Sequence, residues 1–394
     1  MHKILTYNNI SATSLDRLPN NQYEVSSEIQ YPDAILLRSF NLHGIPIPGS
    51  VKCVGRAGVG VDNIPVSEFS KRGIPVFNAP GANANAVKEL TLAGLLLAAR
   101  HISPALDFVR TLRGDDQAIN QAVEKGKKQF AGFELAGKTL GVIGLGAIGV
   151  KVANAALGLG MKVMGFDPSL TVQSAWQLSS QVAQASSVDD LLTKSDFVTL
   201  HVPLVEQTHH FINSARIGLM KNTAVLLNFS RGGVVEAAAV LDALEEGKLR
   251  AYVCDFPDSA LLNRKGVIAL PHIGASTEEA EENCAVMVVD QIRDYLENGN
   301  IRNAVNFPDV VVPRTEGCRL GIANENIPGM VSQISSALAD ANLNIADLVN
   351  QSRGEYAYTL IDVNAEVPSA TLERIRSIPG VLSARIIWAA AIAH

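Results

Sequence analysis

An arginine and a histidine in this chain each follow an apolar run, at the places where an α/β sheet presents the carboxyl ends of its strands. Arg231 follows residues 224–228 in Asn228-Phe229-Ser230-Arg231-Gly232-Gly233, and His272 follows residues 267–270 in Pro271-His272-Ile273-Gly274-Ala275-Ser276-Thr277. Ligands of open α/β sheets bind at that edge. A guanidinium there grips a carboxylate through two parallel hydrogen bonds, while an imidazole takes a hydroxyl proton as hydride leaves the same carbon. The pair is the minimum needed to oxidise a 2-hydroxyacid.

Hydride transfer needs an acceptor, and the chain carries a loop suited to one. Gly144-Leu145-Gly146-Ala147-Ile148-Gly149 lies between a predicted strand at 139–143 and a predicted helix at 147–158, and a second strand at 162–166 ends on Asp167. Gly144 permits the tight turn, Gly146 lets a pyrophosphate approach the backbone, and Gly149 lets helix and strand pack closely. The diphosphate then sits on the helix N-terminus, over Ala147 and Ile148. Asp167, eighteen residues past Gly149, suits the ribose hydroxyls and repels a 2′-phosphate, which selects NAD over NADP.

Positioning these groups takes an α/β scaffold. Strands are predicted at 3–7, 34–38, 51–56 and 75–78 before the glycine loop, and at 197–202, 224–228, 252–256 and 267–270 after it. Helical stretches at 187–194, 213–220 and 236–247 separate the later strands, as a Rossmann-type doubly wound parallel sheet requires. The apolar helix at 90–99 reads as core, with Glu89 beside it as a buried, paired carboxylate. Residues 304–316, with Pro308 and Pro313, read as a linker. Strand 319–323, helix 329–341, strands 344–353 and 356–363, helix 369–377 and strand 381–387 then give the βαββαβ order of a ferredoxin-like domain.

Composition narrows the partners. The 394 residues carry 33 basic and 39 acidic side chains, a net charge of −6, so no basic excess points to nucleic acid or an anionic membrane. Cys53, Cys254, Cys284 and Cys318 show neither metal-ligand nor disulfide spacing, so the expectation is no metal site and reduced thiols in a cytoplasm. The N-terminus has no apolar signal region. His209 and His210 read as turn residues rather than a metal pair, and Glu278, Glu279, Glu281 and Glu282 as a solvated first helical turn.

HVPL at 201–204, NFSRGG at 228–233 and PHIGAST at 271–277 resemble the signatures of the D-isomer-specific 2-hydroxyacid dehydrogenases. Within that family, LLRS at 36–39 and GRAGVGVDNI at 55–64 are similar to the substrate loops of the branch that oxidises 3-phosphoglycerate, and the tail resembles an ACT regulatory domain. The resemblance implies oxidation of 3-phosphoglycerate to 3-phosphooxypyruvate with NAD, opening the route to L-serine. It also implies a homodimer or homotetramer and feedback control by L-serine. The substrate domain, flavodoxin-like, would comprise residues 1–97 and 283–312, the NAD domain 98–282 and the ACT domain 317–394.

Carried over by position, Arg231 orients and polarises the substrate and His272 moves the proton. Asp255 faces the nicotinamide carboxamide, and His201, Val202, Pro203, Phe229, Ser230, Gly274 and Ala275 complete the NAD cleft. The backbone of Ala57, Gly58, Val59 and Gly60 takes the substrate carboxylate, and Arg38 and Arg56 its phosphate. Asn324, Asn326 and Asn344 fall where similar ACT domains hold an effector, although Asn324 replaces a histidine often found there.

One departure stands out. The glutamate that partners the catalytic histidine in the family is missing, and its place falls on Ser259. Asp258 is the neighbouring candidate, to be weighed against a turn role. Two other functions share the signatures: hydroxypyruvate or glyoxylate reduction, which needs no phosphate site, and NAD sensing without turnover.

Overall fold

The structure is a computed structural model that describes residues 1–8, 10–314 and 317–389. Its backbone divides into two compact units, residues 84–277 and residues 1–83 with 278–394. The divisions fall at the starts of the helices Ala84–Arg100 and Glu278–Asn298. The boundaries expected at 97/98 and 282/283 would cut both helices, whose hydrogen-bond ladders hold each as one body.

The first sheet contains β1 (His2–Thr6), β2 (Tyr23–Ser26), β3 (Ala34–Leu37), β4 (Cys53–Arg56) and β5 (Val76–Phe77), all parallel in the order β2-β1-β3-β4-β5. This is the flavodoxin-like order. The second contains β6 (Thr139–Ile143), β7 (Lys162–Phe166), β8 (Ala183–Gln184), β9 (Phe197–Leu200), β10 (Val225–Asn228), β11 (Ala251–Cys254) and β12 (Val267–Ala269). It is parallel throughout, in the order β12-β11-β10-β9-β6-β7-β8. The chain reverses its direction of growth between β6 and β9, and the glycine loop leaves β6 at that switch point, where open sheets bind ligands.

Alternation along these strands builds a core on each face. Leu140 and Val142 of β6, Val225 and Leu227 of β10 and Val253 of β11 pack with Leu95 and Ala98 of the Ala84–Arg100 helix. Ile143, Val198, Leu200, Leu226 and Cys254 face the other way, onto Leu191, Leu192 and Val240. With both faces covered the strands read as unbroken apolar runs, and each buried leucine or valine contributes about 1.5–3 kcal/mol. Glu89 is a correction: it projects to solvent from that helix and accepts from Asn85 at 2.9 Å. Among the described residues no single helix is long and apolar enough to cross a membrane.

The third sheet holds β13 (Cys318–Glu325), β14 (Ile345–Arg353), β15 (Tyr356–Val363) and β16 (Val381–Ala389), antiparallel in the order β14-β15-β13-β16. One face buries Leu320 and Ile322 against Ile334 and Leu338 of the Met330–Asp340 helix. Its other face, carrying Ala323, Tyr358 and Leu360, shares a core with Ile292, Tyr295 and Leu296 of the Glu278–Asn298 helix. The tail is thus docked on the N-terminal sheet's own helix.

The expected linker is a strap. Ala304 bridges Phe77, Ile301 bridges Val310, and Asn306 accepts from Val76 N–H at 2.9 Å while donating to Ser70 and Ile74. Asparagine side chains and a buried Phe307 anchor the segment despite its prolines. Thr315, Glu316 and residues 390–394, parts of the expected linker and tail domain, lie outside the described residues.

Candidate active site

The glycine loop has the form its chemistry needs. Gly144 takes φ +90°, and a Cβ there would lie 2.4 Å from the His201 carbonyl oxygen. A Cβ on Gly149 would lie 1.9 Å from the Gly144 oxygen, so helix and strand meet backbone to backbone. Gly146, the residue before the Ala147–Gly158 helix, has nothing within 4 Å of where a Cβ would be. That open side leaves room for a ligand over the first-turn amides of Ala147, Ile148 and Gly149, which have no partner within the helix. Asp167 accepts from Leu145 N–H and Ser169 N–H, both at 2.8 Å, which fixes its carboxylate beside the loop.

At the ends of β9 and β10 the cleft continues. The His201 ring nitrogen Nε2 lies 3.0 Å from Thr199 Oγ1, Nδ1 is buried, and burial lowers the pKa to about 3, so the ring is neutral at physiological pH. Val202 packs over Gly144, and Pro203 is exposed. Phe229 is buried against Gly94, where a Cβ would lie 2.9 Å from the ring. Asn228 accepts from Ser230 N–H and Oγ and donates to the Arg231 carbonyl at 2.9 Å, which braces the loop that presents Arg231.

Phe256 brings the two candidate catalytic groups to one platform. The Arg231 guanidinium carbon lies 5.5 Å from the Phe256 ring centre, and the exposed His272 ring lies 4.2 Å from it. Sequence reasoning missed this residue, because an aromatic at the end of a strand reads as core. Beside the platform, Asp255 is 1% exposed and its Oδ1 has no hydrogen-bond partner. Desolvation pushes its pKa up to about 6, opposed by its own backbone N–H, Arg231 and the Gly274 N–H. An orphaned buried acceptor calls for a donor from outside the chain, and the amide of a nicotinamide supplies one. The site residues therefore fit NAD.

Asp258, the candidate partner of the imidazole, serves a turn in this structure. Its Oδ1 accepts from Ala260 N–H at 3.0 Å and Leu261 N–H at 3.1 Å, an Asx turn that folds the short loop before β12. Gly274 is buried and Ala275 half-buried at the mouth of the next loop.

The other unit carries the candidate substrate residues. Ala57 and Gly58 are buried after β4, and Val59 and Gly60 are half-exposed. Gly58 has φ +155°, and a Cβ there would lie 1.8 Å from Arg56 Nη1, so only glycine leaves that guanidinium its place. Arg56 Nε donates to the Arg38 carbonyl at 3.1 Å, and Asn78 donates to the Val59 carbonyl at 2.6 Å. Arg38 Nη2 pairs with Glu281 at 2.6 Å, so Glu281 is an ion-pair partner rather than part of a purely solvated turn. Asn63, which the sequence reading passed over, donates to the carbonyls of Arg38 and Phe40.

With this geometry in hand, comparison with known proteins decides the family. The D-isomer specific 2-hydroxyacid dehydrogenase NAD binding domain matches residues 93–274, and the ACT domain matches residues 319–380. A D-3-phosphoglycerate dehydrogenase of Escherichia coli K12 is 35% identical over 351 residues, 85% of this chain and 81% of the relative. The chain belongs to the D-isomer-specific 2-hydroxyacid dehydrogenase family. A D-3-phosphoglycerate dehydrogenase of Methanocaldococcus jannaschii is 39% identical over 296 residues, 73% of this chain, and the chain spans only 54% of its length. The structure of a D-2-hydroxyisocaproate dehydrogenase superposes with a TM-score of 0.63 at 25% identity, covering 77% of this chain and 99% of that one. The seven-stranded sheet of this chain thus lies in its NAD-binding domain, and the antiparallel tail is its ACT domain.

Within the ACT domain, Asn324 and Asn326 line a cavity of about 280 Å³. Asn324 Nδ2 donates to the Glu325 carbonyl while its buried Oδ1 is unpartnered, and Asn326 donates to the Gly354 carbonyl. Asn344 does not join them: it lies before β14, where its N–H donates to Asn364, and Asn350 of β14 lines the cavity instead.

Proposed function

We propose that this chain is an NAD-dependent D-3-phosphoglycerate dehydrogenase, converting 3-phosphoglycerate to 3-phosphooxypyruvate as the first step of L-serine biosynthesis. The observation that carries the chemistry is the Phe256 platform with Arg231 and His272 against it and the unsatisfied Asp255 beside it. NAD, when bound, supplies the hydride acceptor. Arg231 holds the substrate carboxylate and stabilises charge at the C2 oxygen, a fork that lysine cannot reproduce. His272 takes the C2 hydroxyl proton as the carbonyl forms, and returns it in the reverse direction. Asp255 accepts from the carboxamide, which orients the nicotinamide ring. Arg56 and Arg38 meet the phosphate, with Arg38 already sharing its charge with Glu281.

The test is NADH-linked reduction of 3-phosphooxypyruvate beside hydroxypyruvate and glyoxylate. Preference for the phosphorylated acid, lost in Arg56→Gln, is the expected result. Equal use of all three acids would make the chain a general reductase, and tight NADH binding with no turnover would make it a sensor. His272→Gln is expected to lower kcat by about 10²–10⁴.

For the ACT domain we propose L-serine as effector. Asn324 lines a cavity of amino-acid size and its buried Oδ1 is an unpaired acceptor, the complement of an α-ammonium group. Serine at millimolar concentration should raise the unfolding midpoint, since a ligand of the native state stabilises it. No rise in the presence of serine, with activity unchanged, would remove this reading.

A further inference from the structure

A second cavity, of about 490 Å³, lies where the ACT domain docks on the N-terminal sheet. Residues 49–52 and 72–74 form one wall, and β16 with Arg376 forms the other. Lys52, Arg72, Arg376 and Arg385 line it, and among the described residues none of the lining is acidic, although the chain as a whole carries a net charge of −6. Lys52 is balanced by Asp33 at 2.8 Å and Arg376 by Glu373 at 2.6 Å. Arg72 and Arg385 are not balanced in this way. Arg72 donates to the carbonyls of Ile47 and Pro48, and Arg385 donates to the Tyr295 carbonyl at 2.6 Å while lying 4.1 Å over the Tyr295 ring. Two positive charges therefore line the cavity with no carboxylate partner, Arg385 having only the Tyr295 carbonyl and the neutral side chains of Tyr295 and Tyr358 beside it.

Two donors in the same lining are also orphaned. Ser50 Oγ and Arg385 Nε are buried and have no hydrogen-bond partner. Buried donors are almost always paired in native proteins, so each of these two needs an acceptor. A water molecule satisfies one donor but leaves both charges uncompensated. A chloride ion supplies one charge without the directional acceptors. An oxyanion with several acceptor oxygens and two negative charges meets both requirements, and guanidinium forks match phosphate geometry.

We propose that this cavity binds a small phosphate dianion, either inorganic phosphate or the phosphate of a monoester. Because one wall belongs to the N-terminal sheet and the other to the ACT domain, the anion joins the two. Ser383 Oγ, 3.1 Å from the Gly73 carbonyl, already marks where these walls touch. The proposal is independent of which acid the enzyme oxidises.

The test is thermal unfolding of the full chain in potassium phosphate up to about 10 mM, with potassium chloride holding ionic strength constant, in parallel with glycerol 1-phosphate. Wild type should gain a few degrees in midpoint as phosphate saturates the site. The ligand acting at lower concentration identifies the source, free phosphate or monoester. In Ser50→Ala/Arg72→Gln the same rise should need at least tenfold more phosphate. Ser50→Ala alone removes only an unpartnered hydroxyl, so it keeps its fold and carries the comparison if the double variant does not. An equal rise in wild type and Ser50→Ala would place the anion elsewhere, including the catalytic site, and overturn the proposal. No rise in wild type would overturn it as well.

Discussion

Arg319 and Asp362 form a two-pronged ion pair in the interior of the ACT sheet, with Nε to Oδ1 at 2.6 Å and Nη2 to Oδ2 at 2.7 Å. The guanidinium is 0% exposed and also donates to the carbonyls of Asn298, at the end of the Glu278–Asn298 helix, and of Val312 and Pro313 in the segment leading into the domain. One arginine thus ties the sheet to the strap that delivers it. Removing the carboxylate leaves a buried cation with neutral partners alone. Asp362→Ala is expected to cost about 3–5 kcal/mol, the usual penalty for breaking a buried pair from one side. Urea unfolding followed by intrinsic fluorescence measures it, and a loss under 1 kcal/mol would show that the pair is not structural.

The glycine loop separates a folding requirement from a binding one. A Cβ at position 149 would lie 1.9 Å from the Gly144 oxygen, whereas one at position 146 meets nothing within 4 Å. Gly149→Ala should therefore destabilise the NAD domain and lower its unfolding midpoint. Gly146→Ala should fold with a stability within about 0.5 kcal/mol of wild type, yet bind NADH more weakly, because the methyl occupies the side over which the pyrophosphate lies. Thermal unfolding and NADH fluorescence titration on both variants check this. Equal NADH affinity in Gly146→Ala and wild type would remove the loop from the cofactor site.

The same loop shows what the sequence could carry. Its two strands and helix are found at Thr139–Ile143, Lys162–Phe166 and Ala147–Gly158, the ranges expected, because fully buried strands are unbroken apolar runs and glycines punctuate them. Two short edge strands lack that signal. Tyr23–Ser26 reads YEVS and Ala183–Gln184 only AQ, each paired along one side of its sheet, and neither was expected. Residue type and strand-end position singled out Arg231 and His272 as candidates, while Asp255 came only through the family resemblance. The candidate site was not legible where a side chain acts by support, as Phe256 does under Arg231 and His272. Arg319 and Asp362 are 43 residues apart and meet only through strand register, so no local pattern announces them.

Asp258 offers a test that distinguishes a turn residue from a catalytic one. Its carboxylate accepts from the Ala260 and Leu261 amides. Asp258→Ala should lose about 1 kcal/mol, the scale of a lost side-chain cap, while leaving the pH profile of kcat unchanged. Asp258→Asn, which keeps an oxygen for the turn, should recover most of the stability. A displaced pH optimum in both variants would instead make the carboxylate a partner of the imidazole.

Asp255 should make both stability and cofactor affinity depend on pH, in opposite senses. Burial raises its pKa from 3.8 to about 6, so the folded protein holds this proton more tightly than the unfolded chain does. The stability it contributes is fully present below pH 3.8 and is lost as pH rises through about 6. Asp255→Asn has no proton to lose, so the difference in stability between variant and wild type should grow in the variant's favour across that window. Cofactor binding runs the other way, because the ionised carboxylate is the stronger acceptor for the carboxamide N–H. Wild-type affinity for NADH should rise as pH passes about 6, while Asp255→Ala should bind about tenfold or more weakly, as expected for a lost hydrogen bond to a charged group. Urea midpoints and NADH titrations at a series of pH values measure both. Parallel stability curves for wild type and Asp255→Asn would mean that the carboxyl is solvated in the folded protein, and the assignment of its orphaned oxygen to the nicotinamide would fall with them.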